Sequence, residues 1–136
     1  MKSMYNKPLP VPTAETKPFW EACRKHELRI QRCQCCGQYR HYPQVMCPHC
    51  YSFEAEWAKV SGRGRVYTWV VTHRSFHPAF ADEVPYATVT IELDEGVRVV
   101  SRVVDKKPED LYIGMPVEVI FLDVTDEVTL PMFKGR

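Results

Sequence analysis

The chain has 136 residues, enough for one sizeable core or for a small module carried on something larger. Apolar residues make up 45% and charged residues 26%, which excludes a disordered or collagen-like chain. No apolar run approaches the roughly 18 residues of a membrane span, so no membrane role is expected. Lys plus Arg number 18 against 17 Asp plus Glu, a net charge of +1 that argues against a dedicated nucleic-acid binder.

Residues 1–12 carry Pro8, Pro10 and Pro12 with few large apolar groups and read as an extended arm. They lack the apolar h-region of a secretory signal, so a cytoplasmic location is expected. Thr13 opens a helical stretch in which Phe19, Trp20, Cys23 and Leu28 recur on one side. Pro18 favours a helix proper that starts there, and Phe19 and Trp20 are expected in the core. Leu28, Ile30 and Arg32 then form a short strand.

This strand runs into the strongest signal in the chain. Without an export signal, six cysteines point to metal or thiol chemistry rather than a disulfide framework. Cys33, Cys36, Cys47 and Cys50 form C-x2-C-x10-C-x2-C, two knuckles that each wrap one cation and offer it two sulfurs. Gly37 follows the second ligand, where a positive φ helps, and Pro48 fixes φ inside the second pair. Residues 38–46 are expected to form a hairpin bearing Tyr39 and Tyr42. Zinc is the expected metal, because the inter-pair loop is short; iron accepts the same four thiolates and keeps a redox role open. Four protein ligands leave no position for substrate, so the zinc is expected to be structural. Cys35 sits at the wrong offset to complete a pair, either a reactive thiol or an exposed spectator. Cys23 is expected to be buried, and His49 is a spare ligand that four thiolates do not require.

Beyond the ribbon the period changes. Residues 57–72 alternate, with Val66, Thr68, Val70 and Thr72 on one face and Tyr67, Trp69 and Val71 on the other. Gly62-Arg63-Gly64 interrupts the start of this strand as a bulge or bend would. Residues 86–93 and 97–104 form a hairpin around Asp94-Glu95-Gly96. A polar connection at 106–111 has room for one helical turn, and residues 115–124 and 128–133 complete five strands. This pattern predicts a mainly β chain: an N-terminal helix, a rubredoxin-like zinc ribbon, then a five-stranded OB-fold barrel. The expected units are 1–57 for arm, helix and ribbon, and 58–136 for the barrel. Residues 1–58 carry a net charge of +3 and residues 59–136 a net of −2. Arg29, Arg32, Arg40, Lys59, Arg63, Arg65 and Arg74 form a basic series, read either as a solvated face or as a site for phosphate groups. The loop 74–85 holds Phe76 and Phe80, which either dock a partner or ligand or cap the barrel end.

The ordered motifs F-W-E-A-C (19–23), L-R-I-Q-R-C-Q-C-C-G (28–37), C-P-H-C (47–50), G-R-G-R-V-Y-T-W-V-V-T-H (62–73), P-Y-A-T-V (85–89), D-E-G (94–96) and I-G-M-P-V (113–117) resemble the family filed as domain of unknown function thirty-five. The resemblance runs from about residue 13 over nearly the whole chain. It implies a zinc ribbon joined to an OB-fold, acting as a small companion of thiolase-superfamily or related acyl-CoA enzymes. Such companions are non-catalytic subunits of hetero-oligomers that stabilise the catalytic partner or help to enclose an acyl-CoA, in aromatic or other acyl-CoA degradation. Only the four zinc ligands carry over residue by residue.

Three functions compete. As an accessory subunit of a thiolase, acyltransferase or aldolase, the chain has no active site of its own. It shows no Gly-rich nucleotide loop, no G-x-S-x-G and no H-E-x-x-H, and no catalytic residue is assigned. Arg63, Arg65 and Arg74 would contact CoA phosphates or the partner, and Phe76 and Phe80 would form a docking loop. The second function is a single-stranded nucleic-acid module built on Tyr67 and Trp69. The third is a rubredoxin-like electron carrier.

Overall fold

The computed structural model describes residues 7–136. The part of the expected arm at 1–6 lies outside the described residues, and 7–12 carry no regular structure. Helix α1 (Lys17–Arg24) has a proline in its first turn, as the sequence predicts. The Thr13 N–H donates to Thr16 Oγ1 at 2.8 Å just ahead of it. Phe19, Ala22 and Cys23 are buried from this helix, while Trp20 stays half-buried. The chain leaves α1 through His26, whose φ of 59° is the left-handed conformation that ends helices. The His26 ring stacks on Phe121 at 5.3 Å, and its Nε2 meets Asp123 Oδ1 at 3.0 Å.

A three-stranded antiparallel sheet follows, built from β1 (Arg29–Cys33), β2 (Tyr39–Arg40) and β3 (Ala55–Lys59) in the order β2-β1-β3. The hairpin expected inside residues 38–46 does not form. The first cysteine knuckle itself reverses the chain, with the Cys33 N–H donating to Gln38 O at 2.9 Å, so β2 pairs back on β1. Pro43 has no N–H and cannot extend a further strand beyond Arg40.

The 57–72 stretch is likewise two strands, β3 and β4 (Arg63–Thr72). Gly62, at φ 78°, turns the chain between them, and a Cβ there would lie 2.4 Å from Val119 Cγ1. The expected junction at 57/58 falls inside β3, which pairs with β1 from Arg29–Lys59 to Cys33–Ala55.

The second sheet is five-stranded and antiparallel, with β5 (Tyr86–Leu93), β6 (Arg98–Ser101), β7 (Pro116–Asp123) and β8 (Thr129–Gly135) in the order β6-β5-β4-β7-β8. It curls until its two edges meet at one parallel bridge, Val103–Phe133, as an OB-type barrel requires. The Phe133 N–H donates to Arg102 O at 2.9 Å and the Val104 N–H to Phe133 O at 2.8 Å. Strand β6 stops at Ser101, short of the expected 104, because the next residues turn to make this closure. The register of β4 on β5 slips between Val66 and Thr68, a bulge that reverses the alternation. Val66 is buried, but beyond the bulge Trp69, which strict alternation would place on the opposite face, packs on the core, and Val70 is 64% exposed.

Val66, Val89, Ile91, Leu93, Val117 and Phe133 fill the barrel, and Phe19, Cys23, Leu28 and Ile30 join them in one continuous cluster. Helix, ribbon and barrel therefore share a core. Gly64 is a point of close backbone approach, where a Cβ would sit 2.5 Å from the Glu92 carbonyl oxygen. Gly64→Ala should cost about 3 kcal/mol in urea unfolding, because the obstructing atoms are backbone. Gly96→Ala, with φ 92° but open space around it, should cost only about 1 kcal/mol. Equal losses at the two positions would contradict the packing argument.

Candidate metal centre and adjoining cleft

Cys33 ends β1 and Cys36 follows within the first knuckle, where Gly37 takes φ 75°. Cys47 and Cys50 come from a second loop laid against it. The four sulfurs all lie within 4.8 Å of one another. Cys33 and Cys50 Sγ are 3.5 Å apart, and Cys36 and Cys47 Sγ 3.6 Å apart. A tetrahedral zinc–thiolate shell with bonds of about 2.3 Å separates its sulfurs by about 3.8 Å, so the donor set fits one such cation. Backbone amides aim at the sulfurs, from Cys36 to Cys33 Sγ at 3.5 Å and from His49 to Cys47 Sγ at 3.4 Å. The Cys36 N–H holds the Cys33 thiol down at about 6, which favours the thiolate that a metal needs. Cys33 and Cys47 are buried, Cys36 and Cys50 exposed. Cys35 is exposed and outside the cluster, as is His49. Cys23 lies in the core, where burial pushes its thiol up to about 12.

The basic series does not gather into one patch. Arg40 is buried, and its Nε donates to Gln31 Oε1 at 2.8 Å and to Gln44 O. Arg32 donates to Gly37 O and lies over the Tyr39 ring; Arg29 binds Glu27 and Trp57 O. These three brace the ribbon. Arg63 and Arg65 stand exposed on one face of β4, with Arg65 donating to Gly114 O at 3.3 Å. Arg74 lies past the opposite end of β4, its guanidinium 5.6 Å from the Phe76 ring centre.

The two loop phenylalanines also part company. Phe76 is 78% exposed. Phe80 is half-buried at the end of a 3-10 turn (Pro78–Phe80) and packs on Tyr86 at 5.8 Å. His77 Nδ1 accepts from the Ala79 N–H at 3.0 Å and caps this turn. Glu83 pairs with both Lys7 and Arg102, which ties the loop to the arm and to the barrel.

Nothing in the sequence pattern announced a cleft of about 430 Å³ between α1, the ribbon loop and the barrel edge. Trp20, His41 and Tyr42 line one side, and Val100, Pro131 and Met132 the other. Its lining comes from four separate stretches of chain; a Trp and a His beside half-buried apolar residues were the only cue. Among the described residues, Trp20 Nε1, His41 Nδ1 and Arg40 Nη1 are buried side-chain atoms without a hydrogen-bond partner. Burial pushes the His41 imidazole down to about 4.

Comparison with known proteins matches two family profiles, the ChsH2 rubredoxin-like zinc ribbon over residues 20–56 and the ChsH2 C-terminal OB-fold domain over 57–122. A DUF35 domain-containing scaffold protein of Methanocaldococcus jannaschii is 41% identical over 97 residues, covering 71% of this chain and 68% of that one. This chain belongs to the DUF35 family. A second relative is named a probable enoyl-CoA hydratase alpha subunit, from Thermomonospora curvata, and is 44% identical over 117 residues. This DUF35 chain spans only 36% of that protein's length, though the match covers 85% of its own. Among solved structures, a chain titled "Ltp2-ChsH2(DUF35) aldolase" superposes with a TM-score of 0.83 at 40% identity. That match covers 93% of this DUF35 chain and 98% of the other. Among the described residues no helix is long and apolar enough to cross a membrane.

Cys33→Ser should abolish metal binding and unfold the ribbon, since structural zinc in finger peptides contributes about 10–16 kcal/mol. Elemental analysis with a thermal melt checks this, and full zinc content in the variant would refute the four-thiolate shell. His41 gives a pH prediction of definite sign. The unfolded chain takes up its proton near 6.5, the folded chain only near 4. The stability that neutral His41 contributes is therefore complete above 6.5 and is lost as pH falls toward 4. Over that interval wild type should lose about 3 kcal/mol more than His41→Leu. Urea unfolding of both zinc-loaded proteins at matched pH measures the difference; parallel profiles would contradict it.

Proposed function

We propose that this chain is a non-catalytic accessory subunit of an acyl-CoA enzyme, braced by one structural zinc at Cys33, Cys36, Cys47 and Cys50. The observation that carries the reading is the near end-to-end match to the DUF35 chain titled an aldolase, at 40% identity and a TM-score of 0.83. The relatives named hydratase alpha subunits support it, including the 3-oxo-4,17-pregnadiene-20-carboxyl-CoA hydratase alpha subunit of Mycobacterium tuberculosis, 35% identical over 117 residues. The catalytic partner is a thiolase-like chain in a hetero-oligomer. Phe76 supplies the docking contact, with Phe80 holding its loop. Arg63 and Arg65 face the partner or the phosphates of an acyl-CoA shared at the interface, and Arg74 serves the Phe76 end. A saturated thiolate shell supports a structural metal, because it offers no position for substrate.

The nucleic-acid alternative has weak support. Arg98 lies 3.8 Å over the Tyr67 ring and covers one stacking face, while Trp69 packs on the core. For the electron-carrier alternative, colour and metal analysis decide.

Coexpression with a thiolase-like catalytic chain from the same source should yield a stable complex with acyl-CoA activity that the catalytic chain alone lacks or holds weakly. A monomer whose addition changes neither assembly nor activity would overturn the proposal. Phe76→Asp should weaken assembly by about tenfold or more, as loss of an interface anchor does. Arg63→Glu with Arg65→Glu should lower acyl-CoA or partner affinity most at low salt. Titration calorimetry at two ionic strengths reads both variants.

A further inference from the structure

The four sulfur donors of the ribbon are not equivalent. Cys33 and Cys47 are buried, while Cys36 and Cys50 are exposed. Each exposed sulfur rests on a buried one from the opposite knuckle, Cys36 on Cys47 at 3.6 Å and Cys50 on Cys33 at 3.5 Å. A groove of about 330 Å³ opens between the first knuckle and the turn that joins β5 to β6. Cys36, Gln38 and Tyr39 line one side of it, and Glu95, Gly96 and Val97 the other. Of the two exposed donors, only Cys36 lines this groove.

A thiolate that can ligate a metal is also the species that attacks a peroxide. Which thiolate reacts follows from exposure and from a second thiol close enough to complete the oxidation. Cys36 has both, with solvent on the groove side and the Cys47 sulfur behind it. The exposed Cys35 is the nearer residue in sequence but a poor second thiol. Adjacent residues hold their Cα atoms about 3.8 Å apart, short of the roughly 4.4 Å at which unstrained disulfides begin.

We propose that Cys36 is the site at which a peroxide oxidises the zinc-loaded ribbon, with Cys47 as the resolving thiol. The Cys36 thiolate attacks one oxygen of hydrogen peroxide, the O–O bond breaks, hydroxide leaves, and the sulfur becomes a sulfenic acid. The Cys47 thiolate then attacks that sulfur and expels a second hydroxide, closing the gap from 3.6 Å to the disulfide length of about 2.0 Å. Two thiolates, one peroxide and two protons thus become one disulfide and two waters. The metal site is left with two donors, Cys33 and Cys50, too few for a closed tetrahedral shell. The reaction is a property of this chain alone and does not rest on the subunit reading.

The test uses the full-length, zinc-loaded chain and hydrogen peroxide. A chromogenic chelator follows the zinc released, and mass spectrometry after differential alkylation maps the cysteines. One zinc should leave for each peroxide consumed, with a Cys36–Cys47 cross-link formed and Cys33, Cys50 and Cys35 still open to alkylation. A dithiol reductant with added zinc should restore the metal content. Cys35→Ser should release zinc at the wild-type rate. Cys36→His keeps four donors without the attacked sulfur and, once elemental analysis shows it loaded, should release zinc about tenfold more slowly or less. The mapping in the wild-type chain decides the matter even if that variant does not load. No reaction, zinc retained in the oxidised chain, a Cys33–Cys36 disulfide, or oxidation at Cys35 or Cys50 ahead of Cys36 would overturn the proposal. So would a loaded Cys36→His chain that reacts as fast as wild type.

Discussion

Four sulfur atoms converge within 4.8 Å on a segment with little core of its own. Strand β2 is two residues long, and most of the loop that follows it is exposed. Such a segment cannot hold its shape by apolar burial, so its geometry hangs on the point where the two knuckles meet. From that point the first knuckle sets the register of β2 on β1, and Arg40 bridges Gln31 to the Gln44 carbonyl. His41 and Tyr42 are in turn held against Phe19. The aromatic wall of the cleft is thus placed by cysteines that do not themselves line it.

The ribbon is equally dependent on the barrel. Strand β1 gives one edge to β2 and the other to β3, and β3 continues through Val60 and Gly62 into the barrel. Ile30 and Leu28 pass inward to the cluster that holds Val66 and Phe133. At Gly62 the Val119 side chain, and at Gly64 the Glu92 backbone, approach too closely for any Cβ, so the entry to the barrel is fitted by exclusion as well as by burial. The loop that carries Phe76 and the exposed face of Arg63 and Arg65 are therefore mounted on the same core as the cysteine cluster.

What could be read from the sequence was local. The C-x2-C pairs, the alternation of 86–93 and the Asp94-Glu95-Gly96 turn each carry their signal within a few residues, and each appears where expected. Misreadings came where a partner far along the chain decides. Nothing in Val66-Tyr67-Thr68 marks the bulge, which arises from register on β5 and sends Trp69 inward in place of Val70. The basic series looked like one surface because its partners, the carbonyls of Gly37, Gln44 and Trp57 and the amide of Gln31, are invisible as acceptors in a linear text. Phe76 and Phe80 looked equivalent until Tyr86 claimed one of them. The cleft left no motif because no single element makes it.

Glu83 holds Lys7 of the arm and Arg102 of the barrel at once, and Lys7 also lies over the Phe80 ring. The span that presents Phe76 is therefore fastened near its far end from two directions. A contact residue carried on a slack tether must surrender its freedom when it is gripped; one carried on a fastened span has largely done so already. If Phe76 is gripped as proposed, removing the Glu83 carboxylate would leave it just as exposed and just as apolar, yet a poorer handle, because its position depends on a brace several residues away.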